Sequence, residues 1–102
     1  MNDQFAKLMK QAQKMQAQMA EEQEKLDSMS FSGTAGGGMA SCEVNGKMEL
    51  TALKIMPEAV DPEDVEMLED VILAAIQDAQ KKASEAKASQ MSSLTGGMKL
   101  PF

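Results

Sequence analysis

The first 29 residues constrain the fold most, because they predict one continuous helix that is too long for a compact chain of 102 residues to enclose. Residues 3–29 contain no Gly or Pro and consist mainly of strong helix formers. Such a helix spans about 40 Å at about 1.5 Å per residue, whereas a compact domain of about 100 residues has a radius of gyration of about 13 Å. We therefore expect part of this helix to project from the globular body.

The apolar residues of this helix follow alternating steps of three and four, which is the heptad spacing of a coiled-coil seam. Glu22 is the single polar interruption in the series Phe5, Leu8, Ala12, Met15, Met19, Leu26 and Met29. Methionine readily fills such seams, so this pattern favours packing over a metal or cofactor site. The seam predicts contact with another helix.

Between residues 30 and 56, glycines break the chain into short segments typical of β-strands. The predicted strands cover residues 31–35, 39–44 and 48–56, which indicates a three-stranded antiparallel meander. Asn45-Gly46 predicts a hairpin, because both residues tolerate the positive φ of a type I′ turn. The three glycines at 36–38 lack the Gly-Lys-Ser/Thr ending of a phosphate-binding loop and precede a strand, so they indicate a hairpin connection.

The register of this hairpin has two solutions from the sequence. A two-residue loop would pair Val44 with Lys47, whereas one more loop residue would pair Val44 with Met48. We expect the longer loop or a bulge, since it places six apolar residues on one face of the sheet: Ala40, Cys42, Val44, Met48, Leu50 and Ala52. Farther along, the alternation shifts to Leu53 and Ile55, which requires a second bulge or a sheet covered on both faces.

The last predicted helix covers residues 61–90, with Asp61 as its N-cap and Pro62 at its first position. The acidic residues that follow lie at the positive end of the helix dipole, which gives them a structural explanation. The buried stripe is expected to consist of Val65, Leu68, Ile72, Ala75 or Ile76, and Ala79. Residues 91–102 are expected to be a tail, mobile or docked on the body, so that residues 1–102 form a single domain.

Missing residue types exclude most catalytic chemistry. The chain contains no His or Arg, which removes the usual general base, the commonest metal ligand and the bidentate phosphate clamp. Cys42, the single cysteine, has no second thiol for a disulfide and no His with which to hold zinc. The sequence therefore predicts neither an enzyme nor a metal or cofactor site.

Length and hydropathy predict the oligomeric state and the cellular location of the protein. A chain of 102 residues buries only a modest core, so further burial through self-association, as a homodimer, is expected. No run of about 18 apolar residues and no signal peptide is found, which predicts a soluble, cytoplasmic protein without a membrane anchor.

The net charge of −6 is distributed unevenly along the chain. Residues 1–20 carry +2 and residues 21–30 carry −3, while residues 31–56 are balanced. Residues 57–70 carry −7, and residues 71–102 return to +2. The two ends are thus mildly basic around an acidic middle, so net acidity alone does not exclude a nucleic-acid partner.

Four features, in their order along the chain, resemble the YbaB/EbfC family of nucleoid-associated proteins. They are the Lys/Gln/Met-rich residues 9–16, the Asn45-Gly46 hairpin, the acidic helix start at 65–75, and a Gly-Gly-Met tail that ends Pro101-Phe102. The resemblance covers nearly the whole chain. It implies an α+β subunit of order α-β-β-β-α, in which two long helices flank a three-stranded antiparallel sheet. It also implies a homodimer joined through its sheets, projecting arms that grip duplex DNA like tweezers, and a cytoplasmic, chromosome-associated role.

Related chains commonly carry arginines near the second hairpin strand and near positions 81 and 82, whereas every cation here is a lysine. A lysine lacks the guanidinium fork that reads guanine edges, so binding to double-stranded DNA is expected to be weak and largely independent of sequence. The candidate DNA-binding residues are Lys7, Lys10, Lys14, Lys81, Lys82 and Lys87. A purely solubilising role is the alternative for these lysines. The second functional hypothesis is an adaptor whose Met/Leu seam receives the helix of a protein partner and which has little DNA affinity.

Overall fold

The computed structural model describes residues 2–96, and their side chains up to residue 93. Five main elements follow one another: α1 (Asn2–Ser28), β1 (Ser30–Ala35), β2 (Ala40–Asn45), β3 (Leu50–Ile55) and α2 (Val65–Gly96). Short 3-10 turns at Gly36–Gly38 and Pro57–Ala59 complete the chain. The strands form one antiparallel sheet in the order β1-β2-β3. The predicted α+β class and the α-β-β-β-α order are confirmed.

The helix α1 projects from the body, as its length predicts. Its residues 2–21 are all exposed, and Leu26 is its one buried residue. The radius of gyration is 20.7 Å and the longest dimension is 76 Å, both well above those of a compact chain of this size. At its C-terminal end α1 meets the β2–β3 loop, where the Gly46 N–H donates a hydrogen bond to the Asp27 carbonyl at 3.2 Å. A side chain at Gly46 would collide with the backbone of Leu26, so this contact requires glycine.

The β2–β3 turn differs from the predicted type I′ turn. Positive φ falls on Met48, at 66°, and not on Asn45 or Gly46. The Met48 N–H donates to the Asn45 carbonyl at 3.0 Å, which is the three-residue hairpin loop whose last residue is left-handed. The Asn45 side-chain oxygen accepts the N–H groups of Lys47 at 2.9 Å and Glu49 at 3.0 Å. Asn45 therefore organises the turn through its side chain rather than through its own φ.

Both predicted registers of the hairpin are wrong. Val44 lies opposite Leu50, and a bulge follows, with Thr51 as the extra residue before Ala52 pairs with Glu43. Beyond the bulge, Leu53 and Ile55 lie opposite Cys42 and Ala40 on the core side of the sheet. Ala52 consequently lies on the other face, contrary to the expected grouping. One bulge thus explains the shift in alternation that the sequence shows.

The core lies between α2 and the first two strands. Three alanines of α2, spaced four residues apart, are fully buried against Ala40, Cys42 and Val44: Ala75, Ala79 and Ala83. The helix comes so close to β1 that a side chain at Gly33 would collide with the backbone of Ala75 and Ala79. Because α2 covers β1 and β2 but not β3, Leu50 and Leu53 remain 46% and 43% exposed.

The start of α2 corrects the predicted N-cap. The helix begins at Val65, and the Asp64 carboxylate caps it by accepting the Met67 N–H at 3.3 Å. Asp61 instead accepts the Glu63 N–H at 3.0 Å in the preceding turn. Val65, expected in the buried stripe, is 51% exposed. The helix also continues through Gly96 rather than ending near Gln90, so part of the predicted tail is helical, and residues 97–102 lie outside the described chain.

Candidate nucleic-acid interface

Three of the six candidate lysines form a stripe on α1. Lys7, Lys10 and Lys14 occupy positions i, i+3 and i+7, which lie within an arc of about 60° at about 100° per residue. All three are exposed, and none makes a hydrogen bond or ion pair with another group of residues 2–96. We call these three residues the α1 lysine stripe. Their ammonium groups are available to neutralise phosphates without first breaking an internal contact.

The opposite side of the same arm is apolar. Phe5, Leu8, Ala12, Met15 and Met19, here called the α1 seam, are centred about 150° around the helix from the lysine stripe. Phe5 is 66% exposed, Leu8 64% and Met19 52%. The arm therefore presents two separate faces, one cationic and one apolar, and contact with one leaves the other accessible.

Lys82 is already engaged within the chain. Its Nζ donates a hydrogen bond to the Ser32 carbonyl at 2.9 Å and lies 3.6 Å from the Asp78 carboxylate. The same carboxylate accepts the Thr34 N–H at 3.1 Å. This N–H, and to a smaller extent the charges of Lys82 and Lys81, hold the pKa of Asp78 below its usual value. Lys81 itself is exposed.

These contacts give Asp78 and Lys82 a role that the sequence did not reveal. The Ser32 carbonyl and the Thr34 N–H lie on the outer edge of β1, where they bond to α2 side chains instead of another strand. An Asp-Lys pair four residues apart is common on solvated helix faces, so its spacing does not disclose a contact with a strand edge. We call this contact the β1 edge cap.

Lys87 lies where the two helices cross. It is half-buried and lines a groove of about 310 Å³ together with Met19, Glu22, Leu26, Gln90 and Met91. The Gln90 side chain donates to the Glu22 carbonyl at 3.0 Å and to its carboxylate at 3.4 Å, which ties α1 to α2 at this point. On α1, Lys14 is eight residues from Glu22 and Lys7 is fifteen, or about 12 and 22 Å at about 1.5 Å per residue.

The six candidate lysines are thus not brought into one cluster. Lys81 and Lys82 lie on the body, Lys87 lies at the crossing, and the α1 lysine stripe lies beyond it on the arm. The acidic residues of segment 57–70 lie near the N-terminal end of α2. Along the helix, Asp70 is 17 residues or about 26 Å from Lys87, and Val65 is 22 residues or about 33 Å from it. The acidic region and the arm are therefore well separated in space.

A sequence model of the YbaB/EbfC DNA-binding family matches residues 1–98. The chain belongs to this family. A nucleoid-associated protein of Clostridium acetobutylicum is 51% identical over 94 residues, which cover 92% of this chain and 84% of the relative. A nucleoid-associated protein of Pelotomaculum thermopropionicum is 48% identical over 101 residues, covering 99% of this chain and 96% of the relative. The crystal structure of an uncharacterized protein from Helicobacter pylori superposes with a TM-score of 0.75 at 25% identity, covering 89% of this chain and 96% of that one.

The YbaB/EbfC family is described as DNA-binding, and the names of the family and of the relatives indicate a protein that is not an enzyme, as the sequence predicts. The environment of Cys42 is unfavourable for a nucleophile. Its side chain is 4% exposed and its Sγ donates to the Ala75 carbonyl at 3.3 Å, and burial raises the pKa of the thiol. Within residues 2–96, no cluster of carboxylates and thiol could hold a metal ion, and no helix is long and apolar enough to cross a membrane.

Proposed function

We propose that this YbaB/EbfC family member is a nucleoid-associated protein that binds duplex DNA through the phosphates, with the α1 lysine stripe as its principal contact. The observation that carries this proposal is the exposure of Lys7, Lys10 and Lys14 on one face of a projecting helix, with no internal partner among the described residues. Lys81 and Lys87 add positive charge toward the body, whereas Lys82 contributes mainly to the β1 edge cap.

Charge separation supports the same orientation. The acidic residues between positions 57 and 70 would repel a phosphate backbone, and they lie around the N-terminal end of α2. A duplex that approaches the α1 arm avoids this region. Because lysine contacts phosphate as a point charge, binding by this surface should depend little on base sequence.

A homodimer joined through β3 completes the proposal. Outer strands of a sheet present unpaired backbone groups, and within residues 2–96 the outer strand β3 pairs with β2 alone. Leu50 and Leu53 on its core side are left uncovered by α2, which favours a second copy at this side of the sheet. In such a dimer each subunit contributes one arm. The relatives are named nucleoid-associated proteins, which supports a location in the nucleoid.

The test is a salt titration of duplex binding with the Lys10→Gln/Lys14→Gln variant. Each phosphate contact contributes about 0.9 to the slope of log affinity against log salt, so the loss of two contacts should reduce the slope by about 2. Affinity should fall similarly on unrelated duplexes. The control is Lys47→Gln/Lys54→Gln, which removes the same charge from exposed positions on the loop and sheet and should leave the slope nearly unchanged. If both variants lose slope equally, or neither does, the α1 lysine stripe is not the principal contact.

The exposed α1 seam favours a second candidate function, an adaptor that receives a helix of another protein. An adaptor of this kind needs no DNA affinity of its own. Failure of the wild-type chain to be retained on duplex DNA at low salt would favour it over the DNA-binding proposal.

A further inference from the structure

Glu22 is the single polar interruption of the heptad spacing in α1, and it lies where α2 crosses. The side-chain amide of Gln90, on α2, donates a hydrogen bond to the Glu22 carbonyl at 3.0 Å and lies 3.4 Å from an oxygen of its carboxylate. The other carboxylate oxygen is 3.9 Å from Nζ of Lys25. Glu22 and Gln90 are both partly buried. Gln90 thus joins the two long helices through two acceptors on one residue of α1.

The α1 arm is attached to the body near its C-terminal end. Within residues 2–28, only Glu22, Leu26 and Asp27 are not exposed. Leu26 is buried at the β2–β3 loop, and the Asp27 carbonyl accepts the Gly46 N–H there. A helix that is held at its last turn alone can pivot about that turn. The contact between Gln90 and Glu22 adds a second point of attachment, about one helical turn before Leu26, and opposes this pivot.

A small change in the angle of α1 produces a large displacement of its lysines. Lys7 is 20 residues from Asp27, or about 30 Å at about 1.5 Å per residue. A pivot of about 15° at Asp27 would therefore move Lys7 by about 8 Å, which exceeds two steps of about 3.4 Å along one DNA strand. Lys87 would not move, because it lies on α2, three residues before Gln90. The angle of the arm thus determines whether the α1 lysine stripe and Lys87 can reach phosphates of one duplex together.

We propose that Gln90 is a positioning residue, which holds the α1 arm at a fixed angle to the body and so preorganises the α1 lysine stripe for duplex DNA. The effect on DNA binding rests on the proposed function, whereas the anchoring of the arm does not. Preorganisation reduces the entropic cost of binding without adding a contact. Loss of the Gln90 donors should therefore lower the affinity, while the number of phosphate contacts, and with it the salt slope, stays the same.

Gln90→Met removes the two N–H donors and little else. Methionine is uncharged, similar in length and similar in helix propensity to glutamine, but it cannot donate a hydrogen bond. The matched control is Gln77→Met, the same substitution at an exposed position of α2 whose side chain makes no hydrogen bond within residues 2–96. Gln90→Lys is the rescue variant, because its ammonium group can donate to the carbonyl and the carboxylate of Glu22.

Pulsed electron paramagnetic resonance measures the angle of the arm without DNA. Spin labels are attached to the variants Gln13→Cys, on the arm, and Glu69→Cys, on α2, in a Cys42→Ala background. Gln13 and Glu69 are both exposed. Labelled chains are diluted with unlabelled ones, so that only distances within one chain are measured. Gln13 is 14 residues or about 21 Å from Asp27, so a pivot of about 15° moves its label by about 5 Å.

The distribution of label distances should broaden by about this amount in Gln90→Met, stay narrow in Gln77→Met and become narrow again in Gln90→Lys. In a salt titration of duplex binding, Gln90→Met should bind about fivefold more weakly, the ratio that corresponds to one net hydrogen bond, with an unchanged slope. Gln77→Met should bind like the wild-type chain. The rescue variant is not used with DNA, because its added charge would itself raise the affinity.

Three results would overturn the proposal. An unchanged distance distribution in Gln90→Met would show that another contact holds the arm. A broader distribution with unchanged duplex affinity would show that binding does not depend on the angle of the arm. A lower salt slope would show that phosphate contacts are lost, so that preorganisation is not the cause. If the wild-type chain does not bind duplex DNA, the proposed function fails, and the distance distribution still decides whether Gln90 anchors the arm.

Discussion

The two helices are both long, 27 residues in α1 and 32 in α2, yet they differ in which apolar side chains are buried. In α2 the residues with no exposed surface are alanines, which let the helix approach Gly33 of the sheet. In α1 the large residues Phe5, Leu8 and Met19 are half-exposed or more. Burial in this chain thus follows the surface available to each helix rather than the size of its apolar residues. The close approach of α2 to β1 leaves no space for a larger side chain at Gly33, whereas the apolar residues of the arm are exposed.

The largest effect is expected where α2 and β1 meet. Gly33→Ala places a methyl group against the backbone of Ala75 and Ala79, which cannot yield as a flexible side chain would. We expect a loss of about 3 kcal/mol or more in the free energy of unfolding, measured by urea denaturation. The matched control is Gly37→Ala, where the added methyl group meets open space and only the φ of 68° opposes it. That variant should lose about 1–2 kcal/mol. If both variants lose the same free energy of unfolding, the packing of α2 does not depend on its close approach to β1.

Two leucines of α1 differ strongly in burial, and their truncation should differ accordingly in its effect on stability. Leu26 is 5% exposed against the body and Leu8 is 64% exposed on the arm. Leu26→Ala should therefore reduce the free energy of unfolding by about 2–4 kcal/mol, whereas Leu8→Ala should change it by less than about 0.5 kcal/mol. Both can be measured by thermal or urea unfolding. A large loss from Leu8→Ala would mean that the arm contributes to the stability of the body.

The smallest effect is expected in the pH dependence of stability that the β1 edge cap produces. Since the pKa of Asp78 is lowered in the folded chain, its contribution to stability is complete above the unfolded carboxyl pKa of about 3.9 and is lost as pH falls through the lower folded value. Asp78→Asn keeps an oxygen that can accept the Thr34 N–H but removes the charge. The wild-type chain should be more stable at neutral pH, and the difference should shrink below about pH 4. If the difference in stability between the wild-type chain and Asp78→Asn does not change with pH, the charge of Asp78 does not contribute to the β1 edge cap.

The order of elements could be predicted because it depends on local pattern. Residues 3–29 have a heptad spacing without Gly or Pro, and glycines break residues 30–56 into strands. The register could not be predicted, because Asn45 acts through its side chain and the left-handed residue is Met48. The N-cap of α2 could not be predicted either, because Asp61 and Asp64 both satisfy the sequence rule for an N-cap. The structure shows that the helix begins after Asp64.

The candidate site, too, could be predicted from the sequence only in part. The α1 lysine stripe follows from helical spacing, and its exposure follows from the length of the helix. The contacts of Lys82 could not be predicted. Its ammonium group contacts Asp78, four positions away, and also the carbonyl of Ser32, 50 positions away. A tertiary contact of this kind leaves no periodic pattern in the sequence.

The β1 edge cap also has a consequence for assembly. A β-sheet extends by accepting strands at its unpaired edges. Here two backbone groups of the β1 edge, the Ser32 carbonyl and the Thr34 N–H, are already bonded to Lys82 and Asp78 of the same chain. These two groups cannot pair with an incoming strand unless the α2 side chains first release them, so strand addition is disfavoured at β1 relative to β3. The cap thus gives the two edges of one sheet unequal capacities for β-augmentation.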